Sequence, residues 1–158
     1  MRASLKRPAK YYLERGYSEE VLDEFDVGVC LDQKKQMRGR VVAPVYDDDF
    51  ECMVGCVGRT MNENYNGRKW VNSKQFYSGY WLSKNYIRNS RVAILVEGQG
   101  DMWRLWESGI KNVVGMFGSG LTDTQARILE TSGAFTLILL TDNDEAGKKA
   151  RQSIRKKC

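Results

Sequence analysis

Three apolar runs, Val92-Ala-Ile-Leu-Val96, Val113-Val-Gly-Met-Phe117 and Phe135-Thr-Leu-Ile-Leu-Leu140, do most to limit how this chain can fold. A strand that is apolar at nearly every position needs cover on both faces, which is the condition of strands in a parallel sheet. The segments between the runs carry helix punctuation. Gly109 ends the first, Thr122 with Gln125 reads as a capping box opening the second, and Gly133 sits where a left-handed C-terminal cap is wanted. Strand then helix, repeated, gives a βαβαβα unit over residues 90–158 and an α/β fold class.

Before residue 90 the texture differs. Arg40–Tyr46 and Glu51–Val57 are short alternating runs that read as strands, with Asp47–Asp49 as the hairpin loop between them. A helix is predicted around Ala9–Arg15, stopped by Gly16, and a second from Ser18, with Glu19 and Glu20 in its first turn. That pattern is α+β. With 158 residues the chain has the length of one domain or of two subdomains sharing a core, here 1–89 and 90–158. Hydrophobic residues at 42% supply enough apolar surface for a packed core.

Composition removes several kinds of chemistry. The sequence has no histidine, so Ser/His and Cys/His catalytic pairs, His-ligated haem and mixed Cys/His zinc sites are excluded. Of the four cysteines, Cys52 and Cys56 have the wrong spacing for a zinc knuckle; in an extended segment they share one face with Val54 as small core residues. No run approaches the roughly 18 apolar residues of a membrane span and none near Met1 suits a signal peptide, so a cytoplasmic protein without membrane contact is expected. The net charge of +5 is modest, with basic clusters at Arg2–Lys10, Lys34–Arg40 and Lys148–Lys157.

The chemistry concentrates where strands end. Val92–Val96 runs into Glu97, and Phe135–Thr141 into Asp142-Asn-Asp144. In open α/β sheets ligands sit outside the carboxyl ends of the strands. Carboxylates crowded there raise one another's pKa unless a cation intervenes, and Mg²⁺ suits such a site because it accepts one or two carboxylates and keeps waters or phosphates in its other positions. One of Asp142 and Asp144 is expected to cap the last helix, but capping does not account for Glu97, which Gly98 and Gly100 follow. An EF-hand is ruled out by Ala146 and Ser153 at its fifth and twelfth positions. Gly98-Gln-Gly100 and Gly118-Ser-Gly120 lack the third glycine of a dinucleotide fingerprint.

Read together, Val96-Glu-Gly-Gln-Gly-Asp101, Gly109-Ile-Lys-Asn-Val113, Gly118-Ser-Gly-Leu-Thr122 and Asp142-Asn-Asp-Glu-Ala-Gly147 resemble a Toprim domain, most closely that of bacterial and phage DnaG-type primases. Upstream, Leu13-Glu-Arg-Gly-Tyr-Ser18, Phe25-Asp-Val-Gly28, Gly39-Arg-Val-Val-Ala-Pro-Val45, Gly55-Cys-Val-Gly-Arg59 and Lys69-Trp-Val-Asn-Ser73 are similar to the amino-terminal half of that catalytic core. The resemblance implies a Rossmann-like parallel sheet preceded by a smaller α+β primase-core subdomain. It implies Glu97 as acid/base and metal ligand, Asp142 and Asp144 as metal-binding acids, and Asp101 as a further acid in metal binding or support. Arg40, Arg59, Lys69, Trp70, Asn72 and Ser73 would hold template and nucleotide. Where the family has another basic residue this sequence has Ser78, and a further acidic cluster of the family lies past Cys158, so the Toprim segment is expected to be short.

The activity so implied is synthesis of short RNA primers on single-stranded DNA by a DNA-directed RNA polymerase, with a Mg²⁺ or Mn²⁺ cofactor. Implied partners are template, ribonucleoside triphosphates and a replicative helicase or other replisome subunit. The same acids in a Toprim nuclease would direct water instead of a hydroxyl, and a third reading is a non-catalytic DNA- or nucleotide-binding subunit of a replication complex. Among the tryptophans, Trp103 and Trp106 are three apart on a predicted helix and belong to the core, whereas Trp70 beside Lys69 is the candidate for base stacking.

Overall fold

The computed structural model describes residues 4–72, 77–118 and 120–157. They group into two compact units, one from Met1–Val45 and Met53–Ser73, the other from Tyr46–Cys52 and Lys74–Cys158.

The first unit carries β1 (Leu5–Lys6), α1 (Lys10–Leu13), α2 (Glu19–Glu24), β2 (Gly28–Cys30), β3 (Arg40–Tyr46), β4 (Met53–Thr60) and β5 (Trp70–Asn72), with the strands in sheet order β1-β2-β3-β4-β5. The β1/β2, β2/β3 and β4/β5 pairs are antiparallel. Every residue of the central strand β3 is buried. Both helix signals are used as the sequence indicates. Gly16 takes φ 80° after α1, and the Ser18 hydroxyl accepts the Val21 N–H at 3.2 Å to open α2. Cys30 lies in a cluster with Leu5, Met37 and Val42, against which Cys56 packs; burial pushes the Cys56 thiol up. Cys52 does not join it. The Asp47 side chain accepts the N–H groups of Glu51 and Cys52 at 2.9 and 3.1 Å, holding both in the loop, so β4 begins at Met53, two residues later than expected, and Cys52 is exposed.

The second unit carries α3 (Tyr80–Ser90), β6 (Val92–Val96), α4 (Gln99–Glu107), β7 (Val113–Gly115), α5 (Asp123–Thr131), β8 (Thr136–Leu140) and α6 (Glu145–Arg155). Its sheet is parallel with order β7-β6-β8, and Ile94 of β6 is level with Val113 on one side and Ile138 on the other. Ala93 and Leu95 of β6 face a core built with Ile87 of α3, Leu129 of α5 and Ile154 of α6. By strand alternation Ile94 and Val96 face the opposite side, where α4 packs over β6 and β7. Trp103 and Trp106 of α4 are buried, as expected from their spacing. Two buried side chains satisfy backbone carbonyls at this strand and just after it: Ser83 Oγ donates to the Val113 carbonyl at 2.6 Å, and Gln125 Nε2 to that of Met116, the residue after β7, at 2.8 Å.

Three sequence expectations change. β7 stops at Gly115 because Phe117 turns out of the strand at φ 60°. β8 is half-buried on one face and exposed on the other: it is the outer strand of the three, and Ile138 and Leu140 are exposed at 41% and 47%. Helix α3 is additional to the sequence reading. Its N-terminal cap is Gly79 at φ 75° with no side-chain hydrogen bond, so the usual Ser/Thr/Asp signal is missing. The change of texture near residue 90 falls between α3 and β6, both within the second unit.

Two loops fix the ends of the helices after β7 and β8. The capping box opening α5 is complete, with Thr122 Oγ1 accepting from Gln125 N and Gln125 Oε1 accepting from Thr122 N. At the start of α6 the Asp142 carbonyl oxygen lies 2.0 Å from where a Cβ on Gly147 would be, so only glycine admits this turn. Thr122→Ala should cost about 1 kcal/mol in urea unfolding. Gly147→Ala should destabilise by roughly 1 to 3 kcal/mol through overpacking, against the helix preference for Ala, and an unchanged or raised midpoint would refute the close approach.

Candidate functional site

The acids predicted from the sequence lie at the carboxyl ends of β6 and β8, which are adjacent and parallel. Glu97 follows β6 directly and is held from two directions. Its carbonyl accepts the Phe117 N–H at 2.9 Å, extending the β6/β7 pairing past the strand, and its Oε1 accepts the Asp142 N–H at 3.0 Å. Among the described residues Oε2 has no hydrogen-bond partner. The Asp142 side chain is exposed and makes no hydrogen bond or ion pair there. Asp144 is the N-cap of α6: Oδ1 accepts the Gly147 N–H at 2.7 Å, so one of the acid pair caps the helix, as expected. Asp101, in the first turn of α4, and Asp142 line one open depression of about 330 Å³ together with Val96, Arg104, Leu105, Leu140 and Thr141.

These oxygens suit a hard divalent cation. Among the described residues no three acidic or thiol side chains already converge as a metal cluster. A Mg²⁺-type ion does not require that, since it is satisfied by one or two carboxylates with waters and phosphates completing its octahedron. Glu97 through Oε2 and Asp142 through its free carboxylate are the residues that could hold such an ion, with Asp144 Oδ2 and Asp101 nearby in sequence as outer candidates. Gly98 leaves its neighbourhood open: a Cβ there would meet only Asp101 Oδ2, at 3.8 Å.

The predicted basic residues belong to the first unit, where β3, β4 and β5 gather them. Arg59 and Trp70 are directly paired across β4 and β5, the guanidinium lying 5.2 Å from the indole centroid, and Trp70 is 44% exposed. Asn72 is paired with Val57 two positions along. Lys69 precedes β5 and is exposed. Arg40 has a different place from the surface expected of it. It is 9% exposed and donates to the carbonyls of Arg68 and Lys69, both at 3.0 Å, so its fork supports the backbone of the segment that presents Lys69 and Trp70. Ser73 lies outside the described residues. Ser78 is 2% exposed, and its backbone exchanges hydrogen bonds with Gly115 at 2.9 and 3.1 Å.

One part of this surface escaped the sequence. Glu63 accepts from Arg15 at 2.8 Å, from Tyr11 at 3.3 Å and from Arg59 at 3.4 Å, and both guanidiniums lie over the Tyr11 ring. Burial pushes the Tyr11 phenol up, Arg59 and Arg15 oppose it, and Glu63 adds to the rise. The residues come from α1, the turn after it, β4 and the loop after β4, and no local spacing announces them.

Residues 91–158 match the Toprim domain family. The DNA primase of Aquifex aeolicus is 37% identical over 124 residues, covering 72% of this chain and 24% of that protein. A DNA primase of Helicobacter pylori is 31% identical over 178 residues, covering 89% and 31%. The chain thus spans about a quarter to a third of the length of these relatives. Among solved structures, the zinc-binding and RNA polymerase domains of the Aquifex aeolicus primase superpose with a TM-score of 0.78 at 29% identity, over 91% of this chain and 44% of that one. A DnaG primase catalytic domain bound to ssDNA superposes at 0.75 with 22% identity, over 95% and 60%, a likeness of fold. At this identity over most of its length, and with a Toprim domain over residues 91–158, the chain belongs to the DnaG-type DNA primase family, as a Toprim-bearing core.

Proposed function

We propose that this core transfers nucleotides, joining ribonucleoside triphosphates into short primers on single-stranded DNA. The observation that carries the reading is the Glu97–Asp142 contact, which sets two carboxylate-bearing residues side by side at the ends of neighbouring parallel strands. Here Glu97 serves as metal ligand and proton acceptor through Oε2, Asp142 as metal ligand, and Asp144 and Asp101 as support. A bound Mg²⁺, or Mn²⁺ in its place, would lower the pKa of the primer 3′ hydroxyl and neutralise charge developing on the departing pyrophosphate. The depression bordered by Asp101 and Asp142 leaves room for a triphosphate beside the acids.

Template binding is assigned to Arg59, Lys69, Trp70, Asn72 and Ser73. Arg59 offers N–H donors for phosphate, and the Trp70 ring offers a face on which a base can stack. Arg40 contributes by holding the 68–69 backbone in place. Among the described residues no helix is long and apolar enough to cross a membrane, and we place the protein in the cytoplasm with a replicative helicase or another replisome subunit as partner.

Primer synthesis is tested with purified chain, single-stranded template, labelled ribonucleotides and Mg²⁺ or Mn²⁺. Template-dependent oligoribonucleotides are expected, and Glu97→Gln and Asp142→Asn should each lower their yield by at least about a hundredfold, the scale of a lost acid/base group. Metal-dependent cleavage of the template without synthesis would assign a Toprim nuclease, and DNA binding without either reaction a non-catalytic subunit. Trp70→Ala should weaken single-strand binding by about 1 to 3 kcal/mol in a fluorescence titration, and equal affinity would remove Trp70 from the interface.

A further inference from the structure

Arg151 lies on α6, in the basic cluster at Lys148–Lys157 and outside the residues so far assigned to the site. We propose that it is a positioning residue for the Asp142 carboxylate, and through it for the cation site; the inference rests on the assignment of that site above. Its Nη1 donates to Thr141 Oγ1 at 2.5 Å and to the Asp142 carbonyl at 3.2 Å, with a longer contact to the Thr141 carbonyl at 3.4 Å. The Thr141 hydroxyl in turn donates to the Gly147 carbonyl at 3.3 Å. Because the Asp142 N–H is given to Glu97 Oε1, both backbone polar groups of Asp142 are bonded, one to each side of the site. The main chain at Asp142 is therefore fixed, and only two side-chain torsions remain to aim its carboxylate. Two neighbouring cations have different work: Lys148 of α6 pairs with Glu145, and Lys157, past the end of the helix, pairs with Asp123, whose carboxyl it holds below the usual range.

Position and charge make opposite demands here, which makes the role measurable. A guanidinium near a cation site repels the cation, so if its charge were what mattered, removing Arg151 would tighten metal binding. If it acts by holding Asp142, removing it lets the loop spread among conformers and binding weakens. Loss of an outer partner that orients a metal ligand typically costs about 10- to 100-fold in affinity.

The test is Mn²⁺ binding to the folded chain, followed by electron paramagnetic resonance, for the unaltered protein and for Arg151→Ala, Arg151→Lys, Arg151→Gln and Asp142→Asn. Arg151→Ala is expected to raise the Mn²⁺ dissociation constant by about tenfold or more. Arg151→Lys, which can still donate to both oxygens, should recover most of that loss. An Arg151→Ala protein that is folded by circular dichroism and binds Mn²⁺ equally or more tightly overturns the proposal. If Arg151→Ala does not fold, Arg151→Gln decides through the sign of its effect, since it keeps an N–H donor without the charge: weaker binding supports positioning, and equal or tighter binding overturns it. Asp142→Asn separates the two levels. If it binds Mn²⁺ as the unaltered chain does, or if neither binds, the cation-site assignment fails and this inference with it. If Asp142→Asn loses Mn²⁺ while the Arg151 variants do not, only the inference fails.

Discussion

The peptide at Asp142 is the joint on which the site depends. Its N–H goes to Glu97 at the end of the neighbouring strand, its carbonyl goes to Arg151 on the helix that follows, and the same carbonyl fills the space a side chain at 147 would need. Each hydrogen bond alone contributes about 1 kcal/mol net, which is too little to hold a loop against its own entropy. Together they leave the backbone one path. Repulsion works against placing carboxylates side by side, and a fixed main chain allows that arrangement to stand while the Asp142 carboxylate stays open to water.

The sheet supplies the rest of the placement. With β6 central and β7 and β8 on either side, Glu97 is gripped by an extension of strand pairing through Phe117 and by a side-chain contact toward β8. The helices differ in how they serve the site. α4 presents Asp101 in its first turn, whereas α6 begins by consuming one oxygen of Asp144 as a cap. One feature of the sequence, an acid pair two residues apart, thus divides into an exposed carboxylate and a structural one.

Much of this was legible in the residues. The boundaries of β3 and β6, the Thr122–Gln125 box, the Ser18 cap and the burial of Trp103 and Trp106 follow from local patterns, and the structure has them. What the pattern hid has physical reasons. Helix α3 starts on glycine rather than a capping side chain, so it has no opening signal. An apolar strand reads alike at the edge and in the centre of a sheet, so the open face of β8 was invisible. Arg40 looked like a phosphate ligand because a guanidinium has the same donors for a carbonyl as for a phosphate; only its burial reveals which it serves. The Tyr11–Arg15–Glu63 cluster joins residues 52 apart in sequence and required the fold itself.

The seat of the Asp142 carbonyl against Gly147 also sets a length. The two residues are locked as a steric pair, so the segment between them acts as a ruler: one residue inserted or removed there would carry the glycine away from the oxygen and turn another side chain into it. Surface loops commonly absorb such changes in length at small cost. This one, although its residues Asp142–Ala146 are exposed, has no slack to give.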